Sequence, residues 1–168
     1  EIPRVLESKE KYVLTEKVDG QSGTFALVKH KGRFGKCKYE YIVCSRNLRL
    51  WKKGNQSYWF VSDKYNIENV LKNIIGDNEW VAIQGECVAS NVQGNKYKVS
   101  VPDLYVFNLI FPDGRVGSIE AKKIVESFGM KFVPIVADNA ILPDTVEEML
   151  ALAHGNSALN PDSLREGL

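Results

Sequence analysis

Runs of β-branched and aromatic residues recur along this chain at positions 12–16, 24–30, 39–44, 79–88 and 97–111, whereas helical periodicity is confined to three stretches. That ratio constrains the fold most. In "SDKYNIENVLKNIIGDN", Ile67, Val70, Leu71 and Ile74 recur at helical spacing, with Ser62 or Asp63 as N-cap and Gly76 as the stop. "GSIEAKKIVESFGM" predicts a second helix ending near Gly129. "LPDTVEEMLALAHG" predicts a third, with Asp144 or Thr145 near its start and Gly155 after its end. Gly32 and Gly35 mark a hairpin loop, Pro102 interrupts the run at 97–111, and "FPDGRV" is a turn. Three helices among many strands make the class α+β with mainly antiparallel sheet. With no internal repeat, low-complexity tract or linker, the expectation is one domain over residues 1–168.

Composition narrows the class without naming a function. At 168 residues, 44% hydrophobic and 26% charged, the chain has the make-up of a soluble globular domain, which excludes disordered and collagen-like classes. No apolar run approaches the roughly 18 to 20 residues of a membrane span, and "EIPRVLESKEKY" has no apolar core of a signal peptide. The expectation is therefore an intracellular, cytoplasmic protein with no membrane partner. Cys37, Cys44 and Cys87 are odd in number and lack a C-x-x-C pair. They read as small buried or half-buried thiols, not a disulfide framework or a zinc site. His30 and His154 read as surface or turn residues.

Charge is unevenly placed. Residues 29–53 carry nine cations (Lys29, Lys31, Arg33, Lys36, Lys38, Arg46, Arg49, Lys52 and Lys53) against one acid, Glu40, in a chain whose total is +1. Phe34, Tyr39, Tyr41 and Trp51 are interleaved. Such a segment suits a polyanion such as nucleic acid or polyphosphate, and equally suits a solvated hairpin kept soluble by its lysines.

"LTEKVDGQSGTF" places Lys17, Asp19 and Gly20 at the exit of a strand. An amine and a carboxylate beside a turn leave a ligand room to approach. Taken alone, K-x-D-G reads as well as an exposed β-turn. Four further elements, in order along the chain, change its weight: "VCSRNLRL" with Ser45-Arg46-Asn47 at a strand end, "IQGECVAS" with Glu86, "LYVFNLI" with Phe107 and "LREGL" with Glu166. In that order the chain resembles the covalent nucleotidyltransferase superfamily of polynucleotide ligases and messenger-RNA capping enzymes, most of all its ATP-dependent RNA ligase family. The matching elements span residues 14–168. They correspond to that family's motif I (K-x-D-G), motif Ia (S-R-N), motif III (G-E), motif IIIa (the "VFNL" strand) and motif IV (E-G-x).

The resemblance implies a nucleotidyltransferase fold and an activity. Lys17 would attack the α-phosphorus of ATP, giving a lysyl-adenylate as pyrophosphate leaves. AMP would pass to a 5′-phosphorylated RNA end, at a nick in a duplex or on a free end, and a 3′-hydroxyl would then seal the strand. An unperturbed lysine is neutral only about one part in a thousand near pH 7.5, a handicap of roughly 4 kcal/mol. Carboxylates nearby would add to it, so a metal ion or a cation close to Lys17 and partial desolvation are expected. The resemblance makes Asp19 part of the catalytic motif and Arg46 a cation that holds a phosphate or ribose oxygen. A surface salt bridge is the plainer role for Arg46.

It also implies that Glu86 accepts hydrogen bonds from the ribose hydroxyls and that Phe107 stacks on adenine, with Tyr105 competing from the same strand face. Glu166 would hold magnesium or manganese through its water shell, and Glu16 would read the adenine amino group. Two features qualify the match. The family's lysine-rich motif V, downstream of E-G-x, is absent, so the expectation is a domain that ends at motif IV, without motif V or an accessory domain. After Gly20 the sequence reads Gln-Ser-Gly, without the arginine usual in DNA ligases, which favours RNA ligase. Lys96 and Lys98 in "NVQGNKYKV", expected on one strand face, also look like RNA ligase sequence, with no role assigned. The alternatives are a capping guanylyltransferase or DNA ligase of the same superfamily, or a non-catalytic nucleic-acid-binding domain.

Overall fold

A computed structural model describes residues 9–32, 36–52 and 56–168. Arg33, Phe34, Gly35 and Lys53, which the sequence places in the hairpin loop and basic segment, lie outside the described residues. The chain divides into two compact units. One contains the described residues up to Asp19, Lys96–Lys98 and Val133–Leu168. The other contains Gly20–Asn95 and Val99–Phe132.

The larger unit is built on a six-stranded sheet. Strands β2 (Gln21–Lys31), β3 (Cys37–Ser45), β4 (Trp80–Val88), β5 (Asp103–Phe111) and β6 (Gly114–Arg115) lie in the order β3-β2-β4-β5-β6, all antiparallel. The two-residue strand β7 (Lys131–Phe132) adds a parallel pairing to β5. Alternation in the sequence becomes two faces. Phe25 and Leu27 on β2, with Val81 and Ile83 on β4, are fully buried, while Ser22, Thr24, Gln84 and Glu86 share the half-buried opposite face. Helices α1 (Gln56–Lys64) and α2 (Ile67–Ile74) pack on β2 and β4, with Ile67 and Leu71 fully buried. Helix α3 (Ser118–Ser127) packs on β5 and β7 through Ala121 and Val125.

The smaller unit pairs β1 (Lys11–Thr15) with β8 (Ile135–Ile141), antiparallel with register shifts, and carries helix α4 (Val146–Ala153). Thr145 caps that helix by accepting the amide of Glu148 at 3.2 Å, as its sequence predicts.

Several expectations are corrected. The helix predicted to start at Ser62 or Asp63 starts only at Ile67, with Asn66 as its N-cap residue in the left-handed region at φ 49°, and the preceding helix α1, which ends at Lys64, is not predicted from the sequence. Ser62 lies inside α1 and shares a 2.7 Å hydrogen bond with Tyr41. The described residues therefore hold four helices, not three. Gly76 does end α2, at φ 53°. The last long strand starts after Pro102, so Lys96 and Lys98 are on no strand; Asn95 and Lys98, at positive φ, turn the chain there. Cys87 is buried and Cys44 half-buried, but Cys37 is exposed, because it opens β3 beside the hairpin loop. No helix among the described residues is long and apolar enough to cross a membrane.

One polar cluster ties the start of β5 to the end of α1 and to β7. Asp103 is buried at the start of β5. It accepts from Lys64 at 2.9 Å, Lys131 at 2.6 Å, the Tyr65 hydroxyl, and the Leu104 amide at 2.9 Å. Burial pushes its acidity one way, but the bonds from Lys131, Tyr65, Lys64 and Leu104 together outweigh it and hold the carboxyl below the usual carboxylate range. A carboxyl depressed in the folded state stabilises the fold above its unfolded value near 3.9, and that contribution is lost as pH falls through the folded value. Asp103→Asn is therefore expected to cost about 1–3 kcal/mol at pH 7, with the gap to wild type closing below about pH 3. Urea denaturation across that pH range measures it.

Candidate functional site

In the smaller unit the chain leaves β1 as Glu16-Lys17-Val18-Asp19, and side chains alternate in direction. Glu16 and Val18 are buried, and Lys17 is exposed between them. Backbone bonds hold the segment: the Glu16 amide donates to the Pro134 carbonyl at 2.8 Å, and the Lys17 amide to the Gly167 carbonyl at 3.0 Å. The second bond lays E-G-x directly alongside K-x-D. The Lys17 ammonium ion-pairs with the Glu166 carboxylate.

Glu16 anchors this arrangement. Its carboxylate, 2% exposed, accepts from the Ser157 hydroxyl at one oxygen and from the Ala158 amide, at 2.8 Å, at the other. The Ser157 hydroxyl in turn accepts the Leu159 amide at 3.0 Å. Both carboxylate oxygens are thus engaged by the loop that leads to Glu166. Asn160 continues the network, donating to the Lys96 carbonyl at 2.7 Å and to the Ser163 hydroxyl at 3.0 Å. Lys98 pairs with Asp162 at 2.8 Å.

The Lys96–Lys98 segment closes the ring on Asp19. Its backbone amide donates to the Tyr97 hydroxyl at 2.7 Å, and its carboxylate lies 3.9 Å from the Lys96 ammonium. Burial pushes the Tyr97 phenol up to about 12 against the hydrogen bond from the Asp19 amide, and the carboxylates of Glu16, Asp19 and Glu166 add to the rise. Tyr97 therefore stays protonated, and the surroundings of the K-x-D segment are electronegative. Sequence reasoning missed Tyr97, Ser157 and Asn160. Only the oddity of "NVQGNKYKV" pointed toward the first.

The other motif residues lie in the larger unit, beginning with Gly20. A Cβ on Gly20 would sit 2.6 Å from the Cys87 carbonyl oxygen and 3.0 Å from Cγ of Glu86. Only glycine lets this backbone approach the G-E strand so closely. Ser22 pairs with Glu86 and Thr24 with Gln84 across β2 and β4. A chain of amides runs over the same face, Asn108 to Gln84 at 2.9 Å and Gln84 to Thr24 at 3.3 Å. This face offers hydroxyl, amide and carboxylate groups on rigid strands, and its polar members Thr24, Gln84 and Asn108 had no motif to announce them.

Phe107 and Tyr105 part company at a β-bulge. Gly85 pairs with Val106 and Gln84 with Asn108, so Phe107 is the extra, half-buried residue. Tyr105 is buried opposite Glu86, with the Lys131 ammonium 5.4 Å from its ring. Arg46 is exposed in the turn after β3 and makes no ion pair among the described residues.

A family model described as RNA ligase matches residues 10–168. The chain belongs to the RNA ligase family. Solved structures of the Naegleria gruberi RNA ligase resemble this family member over 99% of its length. One lysine-substituted form with AMP and Mn is 30% identical with TM-score 0.82, and another with ATP and Mn is 28% identical with TM-score 0.81. A form with pyrophosphate is 29% identical, with TM-score 0.81. The chain spans about half the length of those proteins, 47–48%. No curated protein matches it. The α+β class and the nucleotidyltransferase-like architecture expected from the motifs are those of this family.

The structure departs from one chemical expectation for this RNA ligase family chain. The Lys17 side chain is 59% exposed and its partner is a carboxylate, so the partial desolvation expected for it is not present in this structure. No group of three or more His, Cys, Asp or Glu residues among those described converges as a metal cage. Magnesium and manganese do not need one, since a hard cation that keeps most of its water is held by one or two carboxylates and substrate phosphates. The half-exposed oxygens of Glu166 fit that demand.

The two acidic anchors should separate in experiment. Glu16→Ala strands the Ser157 hydroxyl and the Ala158 amide and is expected to cost about 2–3 kcal/mol. Lys17→Ala removes an exposed ion pair and should cost less than about 1 kcal/mol. Urea denaturation of the two variants checks the contrast.

Proposed function

We propose that this chain is the adenylyl-transferring part of an RNA end-joining enzyme, with Lys17 as its nucleophile. The observation that carries the reading is the apposition of the two motifs: an exposed lysine at the end of β1, held by backbone and side chain against Glu166-Gly167, in a chain of the RNA ligase family. ATP and manganese, present in the Naegleria structures, are the nucleotide and the class of metal ion proposed here.

Lys17 must first leave its ion pair and give its proton to solvent. The neutral Nζ then attacks the α-phosphorus of ATP, the P–N bond forms as the bond to the β-phosphate oxygen breaks, and pyrophosphate departs. A divalent ion held by Glu166, when bound, supplies positive charge against the phosphate oxygens. Lys96, beside Asp19, keeps that carboxylate from standing unbalanced next to the incoming triphosphate. Gly20 keeps Glu86 and the β4 backbone in place, and Glu86 is proposed for the ribose hydroxyls, Phe107 for the adenine face and Arg46 for a phosphate or ribose oxygen. Glu16, whose oxygens are both engaged in the free chain, acts as the positioning residue of the lysine segment and reads the adenine amino group only if the Ala158 bond opens. AMP passes from Lys17 to a 5′-phosphate of RNA, and a 3′-hydroxyl displaces it to form the phosphodiester.

Incubation with magnesium and α-labelled ATP should give label that survives denaturation. Lys17→Ala should reduce it at least about 100-fold, and α-labelled GTP should not substitute. Preference for GTP would indicate a guanylyltransferase, and label that persists in Lys17→Ala would refute the assignment.

A further inference from the structure

We propose that Trp51 is a stacking platform for an unpaired base of RNA, backed by the guanidinium of Arg49. The proposal rests on the RNA end-joining reading and adds a surface to it. Beyond β3, the Ser45 amide donates to the Leu48 carbonyl at 2.9 Å and the Leu48 amide to the Ser45 hydroxyl at 3.3 Å, closing a tight turn. The chain then doubles back: Arg49 bridges to Cys44, and the Leu50 amide donates to the Val43 carbonyl at 2.8 Å. Leu50 is seated in the core at 7% exposure. Trp51, the next residue, is therefore directed outward and is 68% exposed.

An indole left in water forgoes a large hydrophobic gain unless it has a partner. Here its orientation is held. The Arg49 guanidinium lies 4.8 Å from the ring centroid, and Glu40 fixes that guanidinium at 2.8 Å while also contacting His30 at 3.2 Å. Of the neighbouring rings, Trp59 meets Tyr41 edge to face at 5.9 Å and has Lys52 at 5.7 Å, so Trp51 is the indole presented to solvent. A protein partner would favour a broad apolar patch. Around Trp51 in the sequence stand the cations Arg46, Arg49 and Lys52, with exposed Leu48 among them and no acid between residues 41 and 62. Cations beside an exposed aromatic face match single-stranded nucleic acid, in which every base has a π-face and every linkage a negative charge.

The test is fluorescence anisotropy of a short labelled oligoadenylate against the full chain, at several salt concentrations. Trp51→Ala should weaken binding by about 5- to 150-fold, the range of one base–aromatic stack, and Trp51→Phe should recover most of it. The salt slope should be unchanged in Trp51→Ala, because no phosphate contact is lost, whereas Lys52→Ala, which removes the cation next to Trp51, should lower it by roughly 0.7. Wild-type affinity in Trp51→Ala, absence of oligoadenylate binding by the wild type, or no recovery by phenylalanine would each overturn the proposal. ATP labelling of the same preparations separates the two readings: labelling lost while Trp51-dependent binding persists counts against adenylyl transfer alone, and the reverse counts against the stacking platform alone.

Discussion

The buried carboxylate of Glu16 is the contact on which the smaller unit depends. Removing a carboxylate from water costs several kcal/mol unless donors replace the solvent, and here the Ser157 hydroxyl and the Ala158 amide do so. Because Glu16 is adjacent to Lys17 and Ser157 begins the loop to Glu166, the same two hydrogen bonds that satisfy a buried acid bring an amine against a second, exposed acid. Among its described residues the unit has few large buried side chains, and its buried polar residues Glu16, Ser157 and Asn160 are bonded to one another's segments. Its specificity is polar. Such a network rigidifies when every member is satisfied.

The ion pair between Lys17 and Glu166 has a chemical consequence. In the proposed reaction a protonated amine cannot attack phosphorus, so Lys17 would have to leave this ion pair before it acts. Exposure of both groups, 59% and 39%, keeps the pair weak and easily opened. In the proposed reaction, ligand binding would supply desolvation and positive charge without having to break a rigid buried pair. The larger unit is organised differently, with an apolar face sealed by α1 and α2 and a polar face on rigid strands. Gly20 allows the backbone to touch β4 where a side chain would collide with the Cys87 carbonyl.

Local pattern makes part of this legible. Strands β2, β3 and β4 announce themselves through runs of β-branched and aromatic residues, and α3 and α4 through Gly129 at the end of one and Asp144 or Thr145 at the start of the other. Strand β8 is not visible in the sequence, since Asp138 and Asn139, the latter at φ 56°, break its apolar pattern, and its pairing to β1 is irregular. The division of α1 from α2 depends on Asn66 adopting a left-handed conformation, which asparagine tolerates but does not advertise. Lys17, Glu86 and Glu166 are readable through motif order. The partners that hold them are not, because Glu16 and Ser157 are 141 residues apart, and a long-range hydrogen bond leaves no periodic trace. Lys96 and Lys98 look like strand residues, but it is Tyr97 between them whose hydroxyl holds the Asp19 amide.

Among the described residues, three amines stand within this network: Lys17 beside Glu166, Lys96 beside Asp19 and Lys98 beside Asp162. The most direct measurement is therefore peptide mass spectrometry of the native chain after incubation with ATP and magnesium, mapping any adenylyl group to a single lysine. The adduct is expected on Lys17. An adduct on Lys96, or none on any lysine, would contradict the assignment of Lys17 as the nucleophile.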